Sequence, residues 1–150
     1  MVRLEDRPID PGAMLTDFAQ AADGCGAVVC FTGLVRGRGA EREAIETLTL
    51  EAHPRFTPKV LAALEAETRA RFEVADILVA HRHGQLSAGE PIVFVAVAAA
   101  HRRSAFEAAD YLMDQLKTRA PFWKREDGPA GRRWIEARPE DHADALRWSA

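Results

Sequence analysis

The longest apolar run of the sequence, Ile92–Ala100 (IVFVAVAAA), constrains the fold more than any other feature. It is long enough for a β-strand but reaches less than half of the ~20 residues that a membrane-spanning helix needs. Such a run is typical of a buried strand, and we predict one over Pro91–Ala100. A chain of 150 residues can bury a core of this kind, so we expect residues 1–150 to form a single domain.

Helix-start signals occur at three places. Asp10-Pro11 and Thr57-Pro58 each combine a capping residue with a proline at the first helical position. Ser104 and Glu107 form a candidate capping box, and Pro121 forbids continuation of the helix that follows. Apolar residues at helical spacing then predict helices at residues 11–24, 57–71 and 104–120, with a polar turn or helix at 140–148.

Six segments rich in β-branched, aromatic and other apolar residues predict strands. They lie at residues 26–35, 45–50, 74–82, 91–100, 122–126 and 133–137. Residues 36–42 are glycine-rich and charged and predict an exposed loop, while 84–89 and 127–131 predict turns. Because strands and helices mix without a strict βαβ alternation, we predict the α+β class.

The net charge of the chain and the pattern of its first residues argue against some classes of function. The formal net charge of −3 gives no general attraction to nucleic acid or anionic lipid, so an anion site must come from a local cluster of Arg, Lys and His. The three tryptophans are not interleaved with a basic stripe, which argues against a nucleic-acid surface. Residues 1–10 lack the apolar core of a secretory signal, and we expect a cytoplasmic protein with no membrane segment.

Cysteine and histidine spacing predicts neither a disulfide framework nor a metal site. Cys25 and Cys30 are too few and too close together for such a framework, and they lack companions at zinc spacing. His81 and His83 place two imidazoles on one face of a predicted strand, but a third ligand is not evident. We therefore expect a reduced protein without a bound metal.

Two lysines flank the proline that separates the third helix from the next strand. Lys117 lies in the last predicted helical turn, and Lys124 lies on the strand after Pro121. A helix-to-strand reversal can bring both amines to one cleft with Phe122 and Trp123 as apolar walls, where burial and mutual repulsion would lower a lysine pKa. The alternative is that both are ordinary surface cations, one of them favoured by the helix C-terminus. Spacing alone leaves both interpretations open.

A second basic cluster, His101-Arg102-Arg103, precedes the third helix. Backbone N–H groups at a helix start, together with a guanidinium and an imidazole, form a receptor for phosphate or carboxylate. A solvated basic turn is an equally good interpretation. Arg36 and Arg138 each follow a predicted strand and can complete an anion pocket, although each alone is more often a surface arginine.

Several segments together resemble the large, catalytic subunit of molybdopterin synthase, the MoaE family. The likeness runs in order over nearly all of the chain beyond residue 24. It lies in residues 26–37 (GAVVCFTGLVRG), 48–54 (LTLEAHP), 91–126, which contain AHRRSAFEA and LKTRAPFWKRE, and 133–138 (RWIEAR). The match departs from the family at Leu34, where a lysine is common, at Gln85, where an acid is common, and in the loop 37–43.

The resemblance implies an α/β-hammerhead with a small antiparallel β subdomain and a need for no metal or organic cofactor. It implies an enzyme that converts cyclic pyranopterin monophosphate to molybdopterin by installing two sulfurs as a dithiolene. The sulfur would arrive as a thiocarboxylate on the C-terminal Gly-Gly tail of a small ubiquitin-like partner. Two large subunits would form a homodimer within a heterotetramer that carries one small subunit at each end.

The same resemblance assigns roles to individual residues. Lys117 and Lys124 match the essential lysines, Lys117 nearest the thiocarboxylate and Lys124 assisting proton transfer. The residues expected to bind substrate are Arg36, His101, Arg102, Arg125, Glu126 and Arg138. Some of these would serve the neighbouring protomer's site, because family pockets are expected at the dimer interface.

Two other function classes remain open at this point. A non-catalytic module could bind an anion or a ubiquitin-like tail, but degraded lysine motifs would be expected, and both lysines are present. A cysteine-persulfide sulfurtransferase would use Cys25 or Cys30 as its nucleophile. Cys30 lies in a predicted strand, where a small buried side chain is the commoner role.

Overall fold

The computed structural model describes residues 1–149, which form four helices and eight strands in two four-stranded sheets. The elements are β1 (Val2–Glu5), α1 (Pro11–Ala21), β2 (Ala27–Leu34), β3 (Thr47–Ala52), α2 (Phe56–Arg71), β4 (Asp76–Arg82), β5 (Gly84–Ser87), β6 (Pro91–Ala99), α3 (Arg102–Arg119), β7 (Phe122–Gly128), β8 (Gly131–Ile135) and α4 (Pro139–Leu146). The first sheet has the order β1-β4-β6-β2 and the second the order β5-β3-β7-β8. The α+β class is confirmed.

The first sheet is built around β6, the apolar strand. Val95 and Val97 face α2 and α3, where Leu112 packs against them, while Phe94 on the opposite face contacts Phe18 of α1. Residues 94–99 have no exposed surface. Complete burial of Phe94, Val95 and Val97 contributes roughly 1.5–3 kcal/mol each, so β6 organises the core. The predicted buried strand is confirmed.

The second, antiparallel sheet contains a strand that the sequence pattern does not reveal. Residues 84–87, predicted as part of a turn, form β5, which pairs with β3. Leu86 is fully buried opposite Leu48 in this sheet. The turn prediction was wrong there because Gly84, with φ 90, initiates the strand directly after β4. Burial of Leu86 then outweighs the polar character of its neighbours.

Other local predictions also need correction. β1 was not predicted, and it pairs in parallel with β4, far away in sequence. Helix α2 begins at Phe56, so Thr57 does not cap it; instead its hydroxyl donates to the Pro121 carbonyl at 3.1 Å. Helix α3 begins at Arg102, which places Ser104 inside the first turn and excludes the predicted capping box.

Candidate active site

The reversal at Pro121 carries both lysines to one cleft. Helix α3 ends at Arg119, and β7 begins at Phe122, so the chain turns back within two residues. Phe122 points inward and stacks on the ring of His81, with 4.1 Å between centroids. Because side chains alternate along a strand, Lys124 lies on the same face of β7 as Phe122. Lys117, in the last turn of α3, lines the same cleft.

This cleft has a volume of about 680 Å³ and lies between the two sheets, α3 and the segment before α4. One part of its lining is apolar and includes Phe31, Val35, Leu48, Leu50, Met113 and Leu116. The other part is charged and includes Arg36, Arg38, Lys117, Lys124, Glu126, Arg133, Arg138 and Asp141. A cleft with an apolar wall and several cations suits an anionic ligand that also has an apolar part.

The two ammonium groups of the cleft are not paired with a carboxylate of the described residues. Within residues 1–149, neither Lys117 nor Lys124 forms a salt bridge or a side-chain hydrogen bond. Burial lowers the pKa of Lys124, the positive charge of Lys117 lowers it further, and the Asp141 carboxylate only partly opposes both. The unpaired charges therefore remain available for an anion that enters from outside.

The start of α4 places an arginine beside the lysines. The Asp141 carboxylate accepts a hydrogen bond from the Arg138 backbone N–H at 2.9 Å and pairs with its guanidinium at 3.2 Å. Burial alone would raise the pKa of Asp141, but these hydrogen bonds and the positive charge of Arg138 outweigh it and lower that pKa. Arg138 is thereby held at the cleft by its own helix.

An aromatic anchor at the C-terminus fixes the position of α4. The Trp148 ring packs edge-on against Phe72 and Tyr111, with centroids 6.0 and 5.5 Å away. Its indole N–H donates to Asp114 at 2.7 Å, and its carbonyl accepts from Arg71 at 2.7 Å. This group of contacts ties the end of the chain to α2 and α3.

We expect Trp148→Ala to lower the free energy of unfolding by about 1–3 kcal/mol, because it removes both the aromatic packing and a hydrogen bond. Urea denaturation provides the measurement. The matched control is Trp134→Ala: Trp134 is 54% exposed, and its removal should change stability by less than about 0.5 kcal/mol. Equal effects of the two substitutions would show that the anchor does not hold α4.

The comparisons with known proteins assign the chain to a family. The model of the MoaE protein family matches residues 4–119. A molybdopterin synthase catalytic subunit from Caulobacter vibrioides is 49% identical over 148 residues, which are 99% of this chain and 97% of the relative. The chain belongs to the MoaE family. This confirms the resemblance seen in the sequence, and with it the expectation of a catalytic subunit, an enzyme of molybdopterin biosynthesis.

Solved MoaE structures share the fold. A molybdopterin biosynthesis MoaE protein from Burkholderia ambifaria aligns with a TM-score of 0.83 and 36% identity, covering 100% of this chain and 98% of that one. A complex of subunits 1 and 2 of molybdopterin-converting factor from Helicobacter pylori contains a chain of the same fold, with a TM-score of 0.75, 19% identity and 91% coverage of both chains.

Three of the substrate-binding residues expected from the MoaE resemblance line the lysine cleft, and Arg125 does not. Arg36 and Arg138 lie at its charged side, and Glu126 accepts a hydrogen bond from Arg133 there at 3.2 Å. Arg125 points to the opposite face of β7, where it donates to Asp127 at 3.0 Å. A contact between Arg125 and the ligand of this cleft therefore remains a prediction without geometric support.

The remaining two, His101 and Arg102, lie at the other end of α3. They line a separate cleft of about 670 Å³ with Gly26 and Phe106. Arg102 and Lys117 are roughly 22 Å apart along the helix axis at the usual rise per residue. Within a single MoaE chain, these two groups do not share a cleft.

Two further residues line the lysine cleft, and the sequence analysis did not assign either of them to it. Asp141 belongs to a polar segment that has no readable motif, and only the packing of α4 brings it near the lysines. His81 has a weak sequence signal: it alternates with Val79 and Ile77, which are buried, and so it faces the same side of β4.

No helix within residues 1–149 is long and apolar enough to cross a membrane. The same residues contain no group of three or more His, Cys, Asp or Glu side chains that could hold a metal ion.

Proposed function

We propose that this chain transfers sulfur from the thiocarboxylated C-terminus of a small ubiquitin-like subunit to cyclic pyranopterin monophosphate in the lysine cleft, forming the molybdopterin dithiolene. The observation that carries the proposal is the pair of unpaired ammonium groups, Lys117 and Lys124, in one half-apolar cleft. The relatives support it, since those compared are molybdopterin synthase catalytic subunits.

The charges of the cleft match the charges of both reactants. A thiocarboxylate and a cyclic phosphate are anions, and their approach in an apolar environment is opposed by Coulomb repulsion. Lys117, Lys124 and Arg36 place three cations around the same space, with Arg138 beside them. Such a cluster offsets the repulsion and raises the local concentration of both anions.

The two lysines are suited to different roles. Lys117 hydrogen-bonds the acyl oxygen of the incoming tail as negative charge builds on it. Lys124 donates a proton to the phosphate oxygen that leaves, and its lowered pKa makes it a better proton donor near neutral pH. A glycine tail fits the narrow approach because it carries no side chains that would clash. The reaction needs no metal or organic cofactor.

A second copy of the chain completes the anion site. β2 is an edge strand of the first sheet. Its N-terminal end borders the cleft of His101 and Arg102 through Gly26, and its C-terminal end borders the lysine cleft through Leu34. A two-fold axis can pair the β2 edges of two protomers antiparallel. The cleft of His101 and Arg102 in one protomer then lies beside the lysine cleft of its partner. Such a homodimer is the core of the heterotetramer.

Exposed apolar side chains along this edge support the dimer. Phe31, Leu34 and Phe106 are 41%, 54% and 62% exposed, respectively, although all three are large apolar residues. Apolar side chains gathered along one edge mark an interaction surface more often than a free one. Residues 1–150 act as one domain, because the lysine cleft draws on both sheets. The proposed place of action is the cytoplasm.

The test combines the purified chain, the thiocarboxylated carrier and cyclic pyranopterin monophosphate, and measures dithiolene formation. Product without an added cofactor supports the proposal, and its absence with an intact complex defeats it. The same assay on a variant with Ser at Cys25 and Cys30 separates the persulfide alternative. Neither cysteine lines the lysine cleft, so we expect full activity from that variant.

We expect Arg102→Ala to weaken binding of the pterin phosphate by about 1.5–3 kcal/mol, the usual effect of losing a hydrogen bond to a charged group. That is roughly a ten- to hundredfold rise in Kd, measurable by calorimetry on the assembled complex. Arg7→Ala is the control, because Arg7 is exposed and lines neither cleft. An unchanged Kd for Arg102→Ala would remove this residue from the site.

A further inference from the structure

The lysine cleft contains a buried imidazole to which no role has been assigned so far. His81, near the end of β4, lines the cleft together with Lys117 and Lys124. Only 7% of its surface is exposed, and its ring lies nearly parallel to Phe122, at an interplanar angle of 17°. Stacking and burial hold the ring in one orientation. A side chain fixed in this way beside two reactive amines can take part in their chemistry.

The hydrogen bonding of His81 determines its tautomer. Nδ1 lies 2.8 Å from the carbonyl oxygen of Arg82. A carbonyl oxygen only accepts hydrogen bonds, so Nδ1 carries the proton and Nε2 has a free lone pair. Within residues 1–149, the side-chain hydrogen bond of His81 is made by Nδ1, and Nε2 makes none. The cleft therefore contains one neutral, unoccupied nitrogen acceptor.

The surroundings of His81 keep it neutral. The pKa of His81 is lowered to about 4: burial has the largest effect, the charges of Lys124, Lys117 and His83 act in the same direction, and the hydrogen bond to the Arg82 carbonyl opposes them. Anions that neutralise the two lysines would remove part of this depression. The basicity of Nε2 therefore increases when the cleft holds its anionic reactants.

The other ionisable groups of the cleft are poor proton acceptors. A guanidinium group has no lone pair to offer, and neither has a lysine in its charged form; in this scheme Lys124 regains its proton from solvent before the hydrolysis step. Glu126 is paired with Arg133, Asp141 is paired with Arg138, and Glu136 is exposed to solvent. His81 is thus the best placed neutral base of the cleft.

We propose that His81 Nε2 accepts the proton of the water that hydrolyses the thioester formed during sulfur transfer, an inference that rests on the proposed function. Once the thiocarboxylate sulfur has bonded to a pterin carbon, the carrier is attached through an acyl–sulfur bond. The oxygen of water attacks the acyl carbon and its proton passes to Nε2. The carbon–sulfur bond breaks with its electron pair on sulfur, and Nε2 returns the proton to that sulfur. The carrier leaves with a free carboxyl group.

The test uses His81→Asn and His81→Gln in the assembled complex. The Asn amide retains an N–H for the Arg82 carbonyl, whereas the Gln amide reaches the position of Nε2; neither is a base. Both variants are expected to attach the carrier to the pterin at the wild-type rate and then to accumulate the thioester. Intact-mass spectrometry of the carrier detects this adduct, and dithiolene formation should fall by about 10²–10⁴-fold.

The controls separate this role from a structural one and from failure of the proposed function. His142→Asn changes an exposed histidine that does not line the cleft and should retain wild-type rates. A structural defect would slow carrier binding and the first attachment as well. The inference is overturned if a variant that binds the carrier forms dithiolene without accumulating the thioester. It is also overturned if neither variant binds the carrier. Failure of the wild type to form dithiolene would instead defeat the proposed function.

Discussion

Lys117→Ala is expected to abolish dithiolene formation, with a loss of at least about 10²–10⁴-fold in kcat, the range for a positioned proton donor or charge-stabilising group. Lys117 lies at the end of α3 and forms no salt bridge within residues 1–149, so its removal breaks no structural contact of that kind. Helix content, Tm and affinity for the carrier should therefore remain close to those of the wild type. Single-turnover assays with thiocarboxylated carrier provide the measurement.

The matched control for this experiment is another lysine of the same chain. The sequence contains three lysines, and the third, Lys59, is exposed on α2 away from the cleft. Lys59→Ala should retain full activity. Normal turnover by Lys117→Ala under the same conditions would exclude Lys117 from the chemistry and leave the proposal without its central residue.

The second large effect concerns Lys124, whose removal should abolish activity and stabilise the fold at the same time. Lys124→Met retains most of the side-chain volume but places no charge in the cleft. We expect kcat to fall by about 10²–10⁴-fold, because no proton donor remains at this position. At neutral pH, the free energy of unfolding should rise, since burial and the charge of Lys117 make the Lys124 ammonium unfavourable in the folded state.

The pH dependence gives this prediction a sign that can be tested. The folded-state pKa of Lys124 lies below its unfolded value, so the unfolded chain binds the proton more tightly. Stability of the wild type therefore rises as pH increases through the folded pKa toward the ordinary lysine range. Lys124→Met lacks this gain. The excess of its free energy of unfolding over that of the wild type should therefore be largest near pH 7 and shrink in alkaline buffer. A variant less stable than the wild type at pH 7, with Lys59→Met unchanged, would contradict the electrostatic account.

Much of the core could be predicted from the sequence, because local pattern and tertiary burial agree there. The apolar strand β6 and the helix α3 are examples, and both occupy the centre of the fold. The strands β1 and β5 could not be predicted, since each has only four residues and depends on a partner strand. Thr57 is a further case: its hydroxyl satisfies a carbonyl of the reversal at Pro121 and not its own helix end, a contact that no local signal indicates.

In the candidate site, too, the features set by local sequence pattern could be predicted, and those set by tertiary packing could not. Lys117 and Lys124 could be placed on either side of a chain reversal because Pro121 must end the helix between them, but spacing alone left open whether they share a cleft. The placement of Arg125 follows from the two-residue period of a strand, which puts it on the face opposite Lys124. The closeness of Asp141 could not be predicted, since it depends on the docking of α4. That docking in turn requires contacts of Trp148 with two other helices.

The short path between the two amines of the lysine cleft has a consequence for how this segment can vary. Lys117 lies in the last turn of α3 and Lys124 lies near the start of β7, with the turn at Pro121 between the two elements. Inserting or deleting one residue after Pro121 would reverse the inward and outward faces of β7, turning Lys124 toward water and Trp123 toward the core. The segment should therefore accept changes of side chain at its outward positions far more readily than any change in its length.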